Sequence, residues 1–226
     1  MNNTGDPVVR VELHVHTHAS KDSLIPIEKL LKCCQSIGID RVAITDHNQI
    51  EGALRAKSLA PELVIVGEEI ETTQGELIGY FMTEWVPAGL DSMETIKRLR
   101  AQGAVISVPH PFDTVRSQHW TEGDLLAIAD HVDAIETFNA RCLNKAPNLQ
   151  AALFARQHGL LETVGSDAHS LWEVGRATLI MDDFDDAASF KAALRNTQQA
   201  TQLSPPFVHL FSRWAVFCKK LDKLFH

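Results

Sequence analysis

The sequence predicts an α/β protein built as a distorted (β/α)7 barrel, with a metal site at the carboxyl ends of its strands. Three observations carry that expectation. Short apolar runs alternate with helical patterns along the chain. Its 226 residues, 45% apolar and 22% charged, suit one sizeable buried core. Almost every strand candidate ends in a polar cluster rich in His, Asp and Glu. An open sheet gathers ligand contacts at one switch point, whereas a barrel brings every strand's carboxyl end to one face.

Val8 to Val15 alternates Val11, Leu13 and Val15 with Glu12, His14 and His16, the period of a strand. Pro26 then opens a helix through Leu30, Leu31 and Ile37, which Gly38 stops. Further strands are expected at Arg41 to Ile44, Leu63 to Val66, Leu77 to Phe81, Val105 to Val108, Ala134 to Thr137, Leu161 to Val164 and Ala177 to Met181. Helical patterns fill Ser92 to Gln102, Glu122 to Ala129, Lys145 to His158 and Ala187 to Asn196. Gln74-Gly75 leaves open a hairpin between the Leu63 and Leu77 strands. The barrel is expected over residues 8–203, followed by an amphipathic helical tail over 204–226. In that tail Leu210, Phe211, Trp214, Phe217, Cys218 and Leu221 recur at helical spacing. The tail reads as docking on the barrel or on a second subunit, giving a homo-oligomer, in preference to lying on a membrane.

A formal net charge of -8 argues against a stable nucleic-acid complex. It is compatible with a small anionic substrate, because bound cations reverse the local potential of an acidic site. None of Cys33, Cys34, Cys142 and Cys218 shows CxxC spacing, and the first two fall in an apolar helical run as reduced packing thiols. Met1 to Asp6 lacks the basic and apolar regions of a signal peptide, and no run reaches membrane-spanning length, so the expected location is cytoplasmic.

His14-Val15-His16 puts two imidazoles on one side of a strand end, where both can reach one cation. Alone, such a pair fits two surface histidines equally well. Asp46-His47 and Asp167-Ala168-His169 offer the same chemistry at two more strand ends, and Glu69 and His110 at a further two. Exposed loops explain that recurrence poorly. A mixed nitrogen and oxygen set suits Zn, Mn or Fe better than Mg or Ca, and the lack of thiolates argues against a closed structural zinc site.

The order HVHTHAS (His14 to Ser20), ITDHN (Ile44 to Asn48), GEEI (Gly67 to Ile70), PHP (Pro109 to Pro111) and GSDAH (Gly165 to His169) resembles the PHP family, the polymerase and histidinol phosphatase domains. These are metal-dependent phosphoesterases, and the likeness spans roughly residues 10 to 180. It implies a distorted seven-stranded β/α barrel holding two or three divalent ions. By position, it implies that His14, His16, Glu69 and Asp167 hold one ion and that Glu69 bridges to a second bound by His110. Asp46, His47 and His169 would hold a third. The family pattern of Gly, any residue, Glu selects Glu69 over Glu68. Glu136, in Glu136 to Arg141, would complete the set of ligands around the second ion. Some members carry a His after the glycine that follows the bridging glutamate; here Glu76 stands after Gln74-Gly75.

Cations lower the pKa of bound water and clamp phosphoryl oxygens. No Gly-rich phosphate loop or GxSxG elbow is present, so covalent serine and P-loop mechanisms lack support. Asp167 and His169 are candidate catalytic residues through the cations. His18, in the loop after the first strand, is a candidate to contact substrate or protonate the leaving group. Arg141 and Arg176, each just past a cluster, are candidate phosphate donors or else surface salt bridges. Asp113 to Glu122, with His119 and Trp120, reads as a loop over the site. The expected activity is a phosphomonoesterase or small-nucleotide phosphodiesterase acting on a small phosphorylated substrate such as a nucleotide. The alternatives are a short-oligonucleotide exonuclease and an inactive metal-binding regulatory module.

Overall fold

Strand β1 (Val8–Val15) is an interior strand of a nine-stranded sheet, third from one edge; it carries His14, and His16 follows directly after its end. The computed structural model describes residues 7–225; the polar stretch Met1 to Asp6 and the last tail residue, His226, lie outside it. Helix α1 (Ile27–Ser36) follows, then β2 (Arg41–Ile44), α2 (Glu51–Leu59) and β3 (Val64–Glu71), with β1, β2 and β3 paired in parallel. Strand β4 (Glu76–Tyr80) returns antiparallel to β3, so the hairpin at Gln74-Gly75 is the arrangement found. Thr72 closes that turn, its hydroxyl donating to the Gly75 carbonyl at 2.7 Å. Helix α3 (Ser92–Ala101) leads to β5 (Val105–Val108), antiparallel to β4. Helix α4 (Glu122–Ile128), β6 (Ala134–Asn139), α5 (Ala146–His158) and β7 (Leu161–Gly165) restore the parallel alternation.

The barrel closes where the chain after β7 meets β1. The edge of β1 facing away from β2 is shared. Its amino half, Val8 to Val11, pairs antiparallel with β8 (Ala177–Asp182). Its carboxyl half bonds Ala168: the His16 N–H donates to the Ala168 carbonyl at 3.0 Å, and the Ala168 N–H to the His14 carbonyl at 3.3 Å. Helix α6 (Ala187–Ala193) and an antiparallel edge strand, β9 (Gln198–Thr201), complete the sheet. A short turn of tight helix then leads into α7 (His209–Phe225).

Two apolar clusters hold the layers. Leu30, Ala53, Ile96, Leu125 and Phe154 bring α1 to α5 against the strands. Val11, Leu13, Leu179 and Phe190 join β1, β8 and α6. Full burial of a side chain such as Leu30 contributes about 1.5–3 kcal/mol. Neither α2 nor β9 stands out by period in the sequence. Helix α2 shows only three buried small residues, Gly52, Ala53 and Ala56, and β9 is exposed throughout.

Helix α7 lies against the carboxyl face. Arg141 Nη2 donates to the Ser212 hydroxyl at 2.9 Å, and Lys219 donates to the His18 and Ser20 carbonyls. Its aromatic residues face away from the barrel: Trp214 and Phe217 are 60% and 50% exposed. The docking face is instead the small and polar one, through Ala215, Ser212 and Lys219. Among the described residues no helix is long and apolar enough to cross a membrane.

Candidate metal centre

Four donor atoms from three strand ends lie close together. His14 Nε2 lies 3.2 Å from Glu69 Oε2 and 3.6 Å from Asp167 Oδ1. His16 Nε2 lies 3.3 and 3.2 Å from the same two oxygens. These separations are of the size found between neighbouring ligands of a cation bound at roughly 2.0–2.2 Å, the usual length for N and O donors. All four atoms are buried without a hydrogen-bond partner. Buried polar atoms rarely stay unpaired, so a centre lined by four of them fits a cation.

The tautomer of His14 follows from its back side. A carboxylate only accepts, so Nδ1 carries the proton given to Glu136 Oε1 at 2.9 Å, and Nε2 keeps its lone pair. Glu136 Oε2 accepts from the His110 N–H at 2.9 Å and from Asn139 Nδ2 at 2.9 Å. This corrects the expected role of Glu136. Both its oxygens orient ligand-bearing segments, and it joins none of the donor groups found among the described residues.

Glu69 is the hub. Its Oε2 also lies 3.2 Å from His47 Nδ1, and its Oε1 lies 2.8 Å from His110 Nε2. Alternation along β3 turns Glu68 the other way, where its Oε2 accepts from the Val86 N–H. On one flank His47, His169 and His16 gather about Asp22, whose Oδ2 is 3.1 Å from His169 Nε2 and 3.4 Å from His47 Nε2. On the other, Glu76 Oε2 lies 3.7 Å from His110 Nε2. Because β4 runs antiparallel, its first residue sits at the carboxyl face, which is why Glu76 belongs to the site.

Asp46 does not converge with His47 and His169, a second correction. Its oxygens accept from the Thr17 N–H at 2.5 Å and the Thr17 hydroxyl at 2.6 Å, fastening the loop after β1. The start of α2 packs so closely that a Cβ at Gly52 would fall 2.3 Å from Asp46 Oδ2.

Arg176 is the third correction. Its guanidinium donates to the Trp172 and Leu203 carbonyls at 3.3 and 3.4 Å, tying chain segments together outside the site. Arg116 reaches the cluster instead, bound to Asp167 Oδ2 and to Asp113 Oδ2. Arg141 is buried, with Nε 3.4 Å from Glu173 Oε1. Both arginines line a cavity of about 420 Å³ with Asp22, His47, His169, His209 and Ser212. His18 is exposed and lines a neighbouring groove with Lys21, Lys219 and Lys220, outside the donor groups. His119 is exposed and points Nδ1 at the Arg116 carbonyl, whereas Trp120 is buried beside Gly75.

The electrostatics are those of a cation trap. Burial opposes charge on His14, yet Glu69, Asp167 and Glu136 hold its pKa well above the usual histidine value. His47 likewise overcomes burial through Glu69 and Asp22 and is pushed up to about 10. His16, with histidines on both sides, is driven down to about 3 by burial and by His169 and His47. Burial and the Glu69 charge raise Glu76 to about 7. A site that pulls protons onto buried imidazoles attracts metal cations by the same potential.

Two site residues sit at positive φ, His110 at 28° and Asp167 at 54°. Such backbone costs of order 1–3 kcal/mol per residue and concentrates at functional sites. Behind them, a Cβ at Gly165 would fall 2.3 Å from both His14 Cβ and Glu136 Oε1, so only glycine lets β7 approach β1 there.

The PHP domain family matches residues 12–78, and the PHP-associated family matches residues 145–198. An uncharacterized protein of Methanocaldococcus jannaschii is 41% identical over 172 residues, 75% of this chain and 69% of its own. A two-domain protein of Bacteroides vulgatus containing a predicted PHP-like metal-dependent phosphoesterase superposes with a TM-score of 0.70 at 17% identity. That likeness covers 88% of this chain and 66% of that longer one. A lesion-specific endonuclease of Pyrococcus furiosus shares the fold with a TM-score of 0.57 at 13% identity, over 85% of this chain and 58% of its own.

Proposed function

The chain belongs to the PHP family, and from that premise we propose that it hydrolyses phosphoesters with divalent cations, as a phosphomonoesterase or small-nucleotide phosphodiesterase. The observation that carries this reading is the set of four buried, unpaired donor atoms on His14, His16, Glu69 and Asp167, with both imidazoles 3.2–3.6 Å from both carboxylates. Bound Mn, Fe or Zn supplies Lewis acidity and an activated water.

His14, His16, Glu69 and Asp167 would hold one ion. His47, His169 and Asp22 would hold a second, and His110 and Glu76, sharing Glu69, a third, so the residues accommodate two or three. Arg116 and Arg141 line the adjoining cavity, held by Asp113 and Asp167 and by Ser212 and Glu173, and each keeps Nη1 as a cationic donor for a phosphate oxygen. A cavity of about 420 Å³ suits a sugar phosphate or mononucleotide. Helix α7 walls that cavity through His209 and Ser212. His18 remains a candidate contact for the leaving group from the adjacent groove.

The test is phosphate release by the purified chain with Mn added, measured on a panel of nucleotides, sugar phosphates and short oligonucleotides. Turnover of small phosphate esters is expected, and Asp167→Ala and His16→Ala should abolish it with the fold intact. Activity confined to oligonucleotides would favour the exonuclease. Full metal occupancy without turnover of any ester would leave the regulatory module.

A further inference from the structure

Helix α7 is amphipathic in the reverse sense to most docked helices. Val208 and Ala215 are buried against the barrel, Ser212 accepts from Arg141, and Lys219 donates to the loop after β1. The opposite stripe is apolar and in solvent: Leu210 is 62% exposed, Trp214 60%, Phe217 50% and Leu221 37%. Phe207 and Phe211 flank it, and Trp172, 75% exposed, stands across a groove that Phe211 and Trp214 also line. Together these residues leave several hundred Å² of contiguous apolar surface, which matches the largest patches on monomers and approaches one side of a stable interface.

The stripe reads the same in both directions. Leu210, Trp214, Phe217 and Leu221 are separated by four, three and four positions, with aliphatic residues outside and aromatic residues inside. A two-fold contact needs this property, because residue i must meet j while j meets i. We propose that the α7 stripe is the interface of a homodimer, two copies packing antiparallel about a two-fold axis. Leu210 of one copy meets Leu221 of the other, and Trp214 of one meets Phe217 of the other.

Symmetry and net charge favour a second copy over a lipid surface. Arg213, Lys219, Lys220 and Lys223 against Asp222 give α7 a formal +3, so a chain of net -8 carries -11 outside that helix. A stripe that reads the same in both directions serves a two-fold contact and has no use on a lipid surface, and a chain of net -8 is repelled by an anionic bilayer. Antiparallel pairing also opposes the two helix dipoles.

Sedimentation of the full chain across a concentration series tests the interface. A dimer of twice 25.1 kDa is expected, and Trp214→Glu should raise its dissociation midpoint about thirtyfold or more, as loss of a central aromatic anchor does. Cross-linking tests the orientation independently of that variant's folding. In a Cys218→Ser background, Leu210→Cys with Leu221→Cys should give covalent dimers on mild oxidation. Within one helix these positions lie roughly 16 Å apart and cannot join. Leu210→Cys alone should remain uncross-linked; a disulfide there would overturn the antiparallel pairing. A monomer at every concentration would overturn the interface, as would a dimer that Trp214→Glu leaves unchanged. Monomers that float with phosphatidylserine vesicles would assign the stripe to a lipid surface.

Discussion

His14 gives its Nδ1 proton to Glu136 Oε1 at 2.9 Å, and its Nε2 lone pair thereby faces Glu69 and Asp167. Glu136→Ala removes that orientation while leaving the donor atoms of the centre in place. Metal affinity or turnover should fall about 10- to 100-fold, the usual cost of losing such a partner. Metal analysis alongside steady-state kinetics checks this. Unchanged loading and turnover would remove Glu136 from the positioning role.

Arg116→Ala should lower kcat/KM about 10- to 100-fold at matched metal content, since charged hydrogen bonds to a phosphate are lost. Arg176→Ala should leave kinetics unchanged, because its guanidinium is spent on the Trp172 and Leu203 carbonyls. Equal effects of the two substitutions would contradict this division.

Gly165→Ala should destabilise the fold by about 1–3 kcal/mol or more, as overpacking does. The added methyl meets His14 Cβ and Glu136 Oε1 at 2.3 Å, and the β1 backbone behind His14 has little room to retreat. Urea denaturation measures the loss, and a variant as stable as the wild type would show that the strands can separate freely.

Asp133 links three elements away from the site: it accepts from Arg100 of α3, Lys191 of α6 and the Ile106 N–H of β5. Burial opposes its charge, but Arg100 and Lys191 outweigh that and lower its pKa below the usual value. A depressed folded pKa means the stabilisation is complete above the unfolded value, about 3.9, and is lost as pH falls through the folded one. Asp133→Asn should therefore cost about 1–2 kcal/mol near neutrality, discounted because both cationic partners are over 40% exposed. The difference from wild type should vanish in acid, as thermal melts at neutral and acidic pH would register.

The five strand-end motifs were legible because period two and strand ends fix which side chains share a face. That logic places His14 with His16 and separates Glu69 from Glu68. It cannot reach Asp22 or Arg116, which lie in irregular loops where spacing carries no direction. Glu76 needed the strand's polarity: read as a parallel strand, its first residue falls at the wrong end of the barrel. Asp46 shows the converse limit, since an Asp beside a His offers donors without revealing that Thr17 takes both oxygens. In α7, the pattern exposes an apolar stripe but not which way it faces, because burial by a second chain leaves the same signature as burial in a core.

The closing contact of the barrel has a further consequence. At the carboxyl half of β1 the seam is held by the backbone bonds between His14, His16 and Ala168. Ligands to the first centre come from both banks of that seam, His14 and His16 from the end of β1 and Asp167 from the segment after β7. A cation there acts as a clasp on the cylinder, and the fold gains stability as RT ln(1 + [M]/Kd) with metal concentration. The amides of His16 and Ala168 report the clasp directly: their hydrogen exchange should slow on metal addition while that of Val9, at the β8 end of the same edge, stays unchanged.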